Sequence, residues 1–453
     1  MTDQADEIAP DGFWYVCNAS QFQIANAIPL LALGIARCAG VAVLVGRSAN
    51  PPTETDRTQS IEPGHRFAAA VRGLAAEAGH TRLPIIEISG DPHDETSWEE
   101  PLERFLSQRV PPFVIYNYAG GTRATLLGGI FALEPGDNFD SAILTYVPPR
   151  PRHPAQVRQI KPVLRVLNID GDWTLPLDAW CRLMGYEIAA TRDAVARQRE
   201  AATAGLASRI FSRGPKGSMA NINLFNLNQA FVGLIKQNEN VPYMLSADRL
   251  SAKVGSFNLP RRMAAASFEW ISATLVQLGQ RAPELIVGTD GGWRLEPGAA
   301  SYLAGGWFEE HVFLIADRFF AGTGARVHVG VDLSPTTGPA AHRDIDVAIM
   351  HRSQLHIIEC KSGAWSRGAK SDLERVSPRT IRTLAEYRVA LAGPYGRVGL
   401  VSAHDPRASQ GASAEHVERI EAEAHKLSTE PPIYGIHWKK QLQALLEDIR
   451  DGA

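Results

Sequence analysis

The sequence predicts an α/β protein with an N-terminal Rossmann-like doubly wound sheet, a helical connector and a C-terminal α/β domain built on a mixed sheet. Three observations carry this. Short apolar, β-branched runs alternate with helix-period segments through residues 1–150, the rhythm of a mostly parallel sheet. Residues 151–284 are written mainly in helical period. Within 285–453 a helix is followed by three strands in succession before alternation resumes.

In the first domain, strands are expected at 13–17, 41–45, 84–88, 113–117 and 142–147, with helices at 21–38, 64–78, 98–108 and 122–133. With strand order 3-2-1-4-5, strands 1 and 4 flank the switch point where such sheets bind ligands. Two polar segments fall there. Asn18-Ala19-Ser20-Gln21 follows strand 1, and Asn117-Tyr118-Ala119-Gly120-Gly121-Thr122-Arg123 follows strand 4. Gly120 and Gly121 let backbone approach a ligand, the next helix offers N–H groups to a phosphate, and Arg123 adds a charge. The glycines by themselves read as a turn and a helix cap. No GxGxxG is present and strand 2 ends in Arg47 rather than an acid, which argues against a nicotinamide cofactor.

Residues 148–165 are proline-rich and basic (Arg150, Arg152, His153, Arg158, Lys161, Arg165), and read as a connector, either solvated or touching a nucleic-acid backbone. Helices are expected at 177–184, 188–206, 220–236 and 262–278, with Arg213, Lys216, Arg261 and Arg262 as candidate phosphate contacts. The last domain opens with a helix at 303–320 and a strand at 326–333. A hairpin follows at 345–350 and 355–360, turned at 352–354. A helix at 378–391, a strand at 398–402, a helix at 416–427, a strand at 433–436 and a helix at 439–449 complete it.

The 453 residues suffice for two or three domains, and a net charge of −3 leaves nucleic-acid binding to local basic patches. Cys17, Cys38, Cys181 and Cys360 form no CxxC pair, which argues against a disulfide framework or zinc site and fits a reducing cytosol. The acidic, polar start through Asp11 lacks a signal-peptide pattern, and the apolar stretch 24–45 is interrupted by Pro29, Arg37 and Gly40. A cytoplasmic protein without a membrane span is expected.

The chemistry concentrates in the hairpin. Side chains alternate along a strand, so Glu359 and Lys361 share a face while Cys360 points to the other. An acid and an amine at the end of an apolar strand cost desolvation and need a task or partner. With Asp346 from the neighbouring strand, two carboxylates and an ammonium converge. Mg²⁺ or Mn²⁺ takes oxygen ligands of this kind, here Asp346, Glu359 and the Cys360 carbonyl. Lys361 can then orient or deprotonate a water, or neutralise charge building on a phosphorane. Glu309 is the expected extra acid and Glu310 its competitor, a choice that rests on one residue of helical register. His311, His328, His342, His351 and His356 are scattered and fit no general-base role.

Asp346 followed by Glu359-Cys360-Lys361 resembles the PD-(D/E)xK signature of restriction-endonuclease-like nucleases. Asp344-Ile345-Asp346-Val347 with Ile358-Glu359-Cys360-Lys361 is similar to its rendering in the ancillary nucleases of type III CRISPR systems, and Gly305-Gly306-Trp307-Phe308-Glu309 resembles their acid-bearing helix. In that family the nuclease domain is fused to an N-terminal CARF (CRISPR-associated Rossmann fold) domain. Residues 117–123 resemble the CARF motif Asn-x-Thr-Gly-Gly-Thr-Lys, with Ala119 for the threonine and Arg123 for the lysine.

The resemblance implies a CARF-like sensing domain at 1–150 and a nuclease domain at 285–453. It implies a homodimer binding one cyclic oligoadenylate, cyclic tetra-adenylate above all, through Asn18, Ser20, Gln21, Asn117, Gly120, Gly121, Thr122 and Arg123. The implied catalytic residues are Glu309, Asp346, Glu359 and Lys361, and the implied substrate is single-stranded RNA or DNA, or nicked duplex. Arg367, Lys370, Arg375, Arg379 and Arg382 can track its backbone, or simply form an exposed loop. Two other readings compete: a ligand-sensing regulator that binds nucleic acid without cutting it, and a restriction- or repair-type nuclease with another nucleotide ligand.

Overall fold

The apolar runs of the first third pair side by side. β1 (Phe13–Asn18), β2 (Cys38–Gly46), β3 (Ile85–Gly90), β4 (Phe113–Asn117) and β5 (Asp140–Val147) form the expected parallel ladders, in the order supposed above, β3-β2-β1-β4-β5. Helices α1 (Ile24–Leu33), α2 (Glu62–Glu77), α3 (Glu99–Arg109) and α4 (Arg123–Ala132) make the crossovers. The structure is a computed structural model. It describes residues 9–21, 23–109, 111, 113–133, 140–147, 155–161, 165–169, 175–211, 218–257, 259–336, 343–362, 376–393, 396–404, 414–435 and 437–452, with backbone alone at 140–147, 155–161, 165–169, 218–223, 225 and 414.

The sheet does not stop at residue 150. β6 (Ala155–Lys161) and β7 (Arg165–Ile169) continue it antiparallel from β5, so this stretch is part of the sheet rather than a connector. The prolines that suggested a linker (Pro148, Pro149, Pro151, Pro154) flank the strands instead of interrupting them. A second correction concerns the expected helix at 188–206. Its start is β8 (Tyr186–Ala190), and helical structure begins only with α6 (Asp193–Gln198) and α7 (Glu200–Phe211). β8 is captured by the C-terminal sheet, where Ile188 pairs with Leu333, and this tertiary partner overrides the local helical pattern.

Downstream lie α5 (Leu177–Leu183), α8 (Ser218–Phe231), α9 (Ala247–Gly255) and α10 (Arg261–Arg281). A small sheet unforeseen in the sequence joins them: β9 (Tyr243–Ser246), β10 (Ile286–Thr289) and β11 (Gly292–Leu295) in the order β10-β11-β9. The last sheet runs β15-β14-β13-β12-β8, from β12 (Arg326–Pro335), β13 (Arg343–His351), β14 (Gln354–Lys361) and β15 (Val398–Ser402). Only the β14–β15 ladder is parallel, so the sheet is mixed, as expected. α11 (Trp307–Phe319), α12 (Pro378–Tyr387), α13 (Ala414–Lys426) and α14 (Trp438–Asp451) pack around it. Of the strand expected at 433–436, the described residues show one bridge, Val401 to Ile433. Among the described residues no helix is long and apolar enough to cross a membrane.

One apolar core runs from beneath the N-terminal sheet (Phe13, Tyr15, Val43) through α5 (Trp180, Leu183) to the last sheet (Leu333, Ile345, Leu355). α5 is the rivet, because the Trp180 indole N–H also donates to Leu391 O at 2.8 Å. On the far side of the N-terminal sheet, Trp98 is fully buried between Gly90 of β3 and Gly128 of α4. Gly129 lies against Tyr116, whose ring a Cβ there would meet at 2.5 Å. These glycines let α4 press onto the sheet, which places the loop preceding it. Gly129→Ala is expected to lower stability by about 1–3 kcal/mol through overpacking, read as a lower urea midpoint at unchanged slope.

Candidate active site and ligand loop

The hairpin turns through Arg352 and Ser353, both at positive φ (48° and 54°), between the pair His351–Gln354. That two-residue turn fixes the register, which runs to Val347–Ile358 and would set Asp346 opposite Glu359. The ladder opens at that point. The Cys360 N–H donates to Asp346 Oδ2 at 2.7 Å, so the carboxylate stands in for a strand carbonyl. Glu359 Oε1 lies 2.6 Å from Lys361 Nζ, and Asp346 Oδ2 lies 4.0 Å from it. The Cys360 side chain is buried in the core and leaves only its backbone to the site. The three residues predicted to converge do converge.

Burial pushes the Asp346 carboxyl well above the usual carboxylate range. Glu359 and Glu309 push the same way, while Lys361 and the Cys360 N–H pull back. Burial by itself would lower the Lys361 ammonium, but Asp346 and Glu359 outweigh it and the net shift is upward.

The choice between Glu309 and Glu310 is visible in their surroundings. Glu310 is buried, accepts from Thr203 Oγ1 at 3.0 Å and faces Arg199 at 3.6 Å, inside the helical packing. Glu309 stays 22% exposed, and its charge acts on Asp346 and Lys361. The apolar neighbours Trp307, Phe308, Val312 and Phe313 are buried in the core and aim α11 so that Glu309 is left at the rim. A π-helical turn, Tyr302–Gly306, precedes it, and Ser362 Oγ donates to Ala304 O at 3.1 Å, tying that turn to the end of β14.

Among the described residues, no group of three or more His, Cys, Asp or Glu side chains could by itself hold a metal. The donor chemistry nonetheless fits a hard divalent ion, which binds one or two carboxylates and completes its shell with water and phosphate oxygens. The histidines stand apart as expected: burial holds His311 and His356 down to about 3, and His328 pairs with Asp193 at 2.7 Å. His342 lies outside the described residues.

The loop expected to bind a ligand sits at the C-terminal ends of β1 and β4, either side of the switch point. Its asparagines are spent on architecture. Asn18 Nδ2 donates to Gly120 O at 3.1 Å, and its Oδ1 accepts from Tyr116 at 2.9 Å. Asn117 donates to Ala25 O and Asn26 Oδ1, each at 3.0 Å, and accepts from Ala119 N at 3.2 Å. Thr122 caps α4 through Thr125 N at 3.2 Å and donates to Pro92 O. Gly120 and Gly121 have φ of 99° and 84°, and a Cβ on either would strike Ser20 or Asn18 at 2.7–2.8 Å. What faces solvent is the Gly120–Gly121 backbone with Gln21, Thr122 and Arg123, while Ser20 is half-buried.

Of the basic candidates, Arg261 and Arg262 are exposed at the start of α10, and Arg382 pairs with Glu423 at 2.8 Å. Arg379, on α12, is exposed. Arg150, Arg152, His153, Arg213, Lys216, Arg367, Lys370 and Arg375, and the side chains of Arg158, Lys161 and Arg165, lie outside the described residues. Sequence reasoning missed Arg192, which pairs with Glu309. It belongs to no motif, and its only signal is the glycine opposite it on β12.

Residues 297–416 match the family described as Card1-like, endonuclease domain. No curated protein sequence matches the chain. The protein VC1899 from Vibrio cholerae superposes with a TM-score of 0.65 at 15% identity, covering 97% of this chain and 99% of that one. Can2 from Sulfobacillus thermosulfidooxidans, solved with cyclic tetra-adenylate, superposes at 0.57 and 16% identity, covering 96% and 98%. A type III CRISPR defence DNA nuclease activated by cyclic oligoadenylate superposes at 0.44 and 14% identity over 87% and 46%, too loosely to carry weight. At such identities these likenesses speak for the fold, and they span the whole chain. The C-terminal motifs thus fall in a stretch that matches a Card1-like endonuclease domain, and the expected α/β architecture is shared with Can2 over nearly the whole chain.

Proposed function

We propose that the chain is a metal-dependent endonuclease, switched on by a cyclic oligoadenylate, that hydrolyses phosphodiester bonds in single-stranded RNA or DNA, or nicks duplex DNA, in CRISPR antiviral defence. The observation that carries this reading is the Asp346–Glu359–Lys361 cluster, lying inside the stretch that matches the endonuclease family. Asp346, Glu359 and the Cys360 carbonyl would hold Mg²⁺ or Mn²⁺, which when bound polarises the scissile phosphate and acidifies water. Lys361 is held against two carboxylates and serves as a fixed cation facing the charge that builds on the phosphorane oxygens. Glu309 is the third acid beside that cluster.

The sensing half of the proposal rests on the exposed loop at the switch point, with Arg123 at the N-terminus of α4. Cyclic tetra-adenylate is the ligand of choice, since Can2 shares this fold and was solved with it. A two-fold-symmetric ring suits an isologous homodimer. α4 also exposes Leu127 (43%) and Phe131 (57%), apolar side chains one turn apart that a second copy would cover.

Purified protein with Mn²⁺ or Mg²⁺ and labelled single-stranded RNA and DNA should cut only when cyclic tetra-adenylate is added. Cutting without it would remove the switch, and no cutting with any cyclic oligoadenylate would favour a non-cleaving regulator. Glu359→Ala should lower the cleavage rate on the order of 10²-fold or more while activator binding, followed by calorimetry, stays intact. Arg123→Ala should weaken that binding by roughly tenfold, the scale of one charge-assisted hydrogen bond. Glu310→Ala should lower the melting temperature because Thr203 and Arg199 lose a buried partner. Glu309→Gln should leave the melting temperature nearly unchanged and slow cleavage.

A further inference from the structure

Arg192 reaches the nuclease site from the turn just after β8, the edge strand of the last sheet, and three features hold it there. Its N–H donates to Val329 O at 2.8 Å, and the next residue, Asp193, accepts from Val329 N at 2.8 Å and faces His328 Nδ1 at 2.7 Å. The backbone is therefore clamped to β12 on both sides of one residue. Gly330 follows, at φ 57°, and a Cβ there would lie 2.0 Å from Arg192 Nε, so the guanidinium fills the space a side chain would take. The ladder pairs Val329–Val347 and Val331–Ile345 bracket Gly330 and Asp346, so Arg192 crosses the sheet at the level of Asp346. From this slot its guanidinium pairs with Glu309.

Charge balance explains the need. Lys361 is committed to Glu359 and stands farther from Asp346, which leaves Glu309 to a second cation. Arg192 supplies it, and its charge also reaches the exposed Asp344. We propose that Arg192 is a positioning residue of the nuclease: it fixes the Glu309 carboxylate beside the Asp346–Glu359–Lys361 cluster and keeps that acid from being repelled out of the site. This rests on the nuclease reading above. A residue slotted over glycine and tied through its neighbour is preorganised rather than mobile, the usual build of a group that orients a reacting one.

The test is a double-mutant cycle on activated cleavage in the full-length protein, with Arg192→Gln, Glu309→Gln and both together. Arg192→Gln should lower kcat by roughly 10–100-fold, the range for losing an orienting partner, with KM for the nucleic acid within about threefold. The double variant should be no more than about threefold slower than the slower single one, since both changes remove the same function. Arg192→Lys, which keeps the charge, should recover part of kcat. Melting curves matching the wild type separate this from a folding defect. Fully additive losses, a raised KM with kcat unchanged, or a loss of kcat accounted for by unfolding would each overturn the inference while leaving the nuclease reading standing. A wild-type protein inert on every nucleic acid with either metal would overturn both.

Discussion

The C-terminal half depends on keeping several carboxylates together at the point where a sheet opens. Asp346 is buried where β13 and β14 part, and one of its oxygens accepts a backbone N–H that would otherwise lack a strand partner. A buried acid in that position is tolerable because it replaces a backbone carbonyl, yet Glu359 and Glu309 add like charge around it. Two cations answer, Lys361 from the same hairpin and Arg192 from outside it. Truncating Lys361 would leave the buried Asp346 uncompensated, which costs far more than losing the partly exposed Arg192–Glu309 pair at the rim. The same surplus of negative charge is what a divalent ion would relieve.

The N-terminal site follows a different logic. A loop that offers its backbone to a ligand cannot also use that backbone to hold itself, so side chains must do so. Asn18 and Asn117 are both fully buried and spend their amides on the loop, on α1 and on each other's neighbours. The Gln23 amide nitrogen is buried beneath them without a hydrogen-bond partner, while its oxygen accepts from Asn26 at 2.7 Å. The polar floor is thus nearly saturated, and the chemistry facing out is the loop backbone with Gln21 and Arg123. Such a surface suits phosphates and sugar hydroxyls better than apolar ligands.

Much of this was legible in the sequence, for identifiable reasons. The parallel strands read clearly because strands buried on both faces are continuous apolar runs, and the hairpin because its acids interrupt such runs at fixed parity. Less was legible where partners lie far away in the chain. β8 reads as the start of a helix until Leu333 pairs with it, and β6 reads as a proline-rich linker until β5 templates it. Helical register separates Glu309 from Glu310 only once Thr203 and Arg199 are seen to hold the second. Arg192 was beyond reach, since no local pattern marks an arginine whose slot is a glycine well over a hundred residues later. That Asn18 and Asn117 end β1 and β4 was legible, but that both amides hold the loop was not, because an amide that holds a loop and one that faces a ligand look alike in sequence.

The two sites are joined by a seam whose construction limits how one can influence the other. α2, from the N-terminal sheet, packs on α5, and Arg66 lies against Gly185, where a Cβ would meet its Nη1 at 2.9 Å. The next residue, Tyr186, accepts from Arg343 Nε at 2.8 Å, and that guanidinium is stacked between the rings of Tyr186 and Tyr387. Tyr387 in turn donates to the carbonyl of Asp344 at 3.0 Å, two residues before Asp346. The seam also shares one continuous apolar core with both sheets, and cores packed in this way shift as units rather than flexing piecemeal. Continuity of contact supplies a route but no preference between states. In the proposed function, that preference comes from a ligand that binds one arrangement of the N-terminal loops more tightly than another. The fold's contribution is to make such a difference hard to absorb before it reaches the strand that carries Asp346.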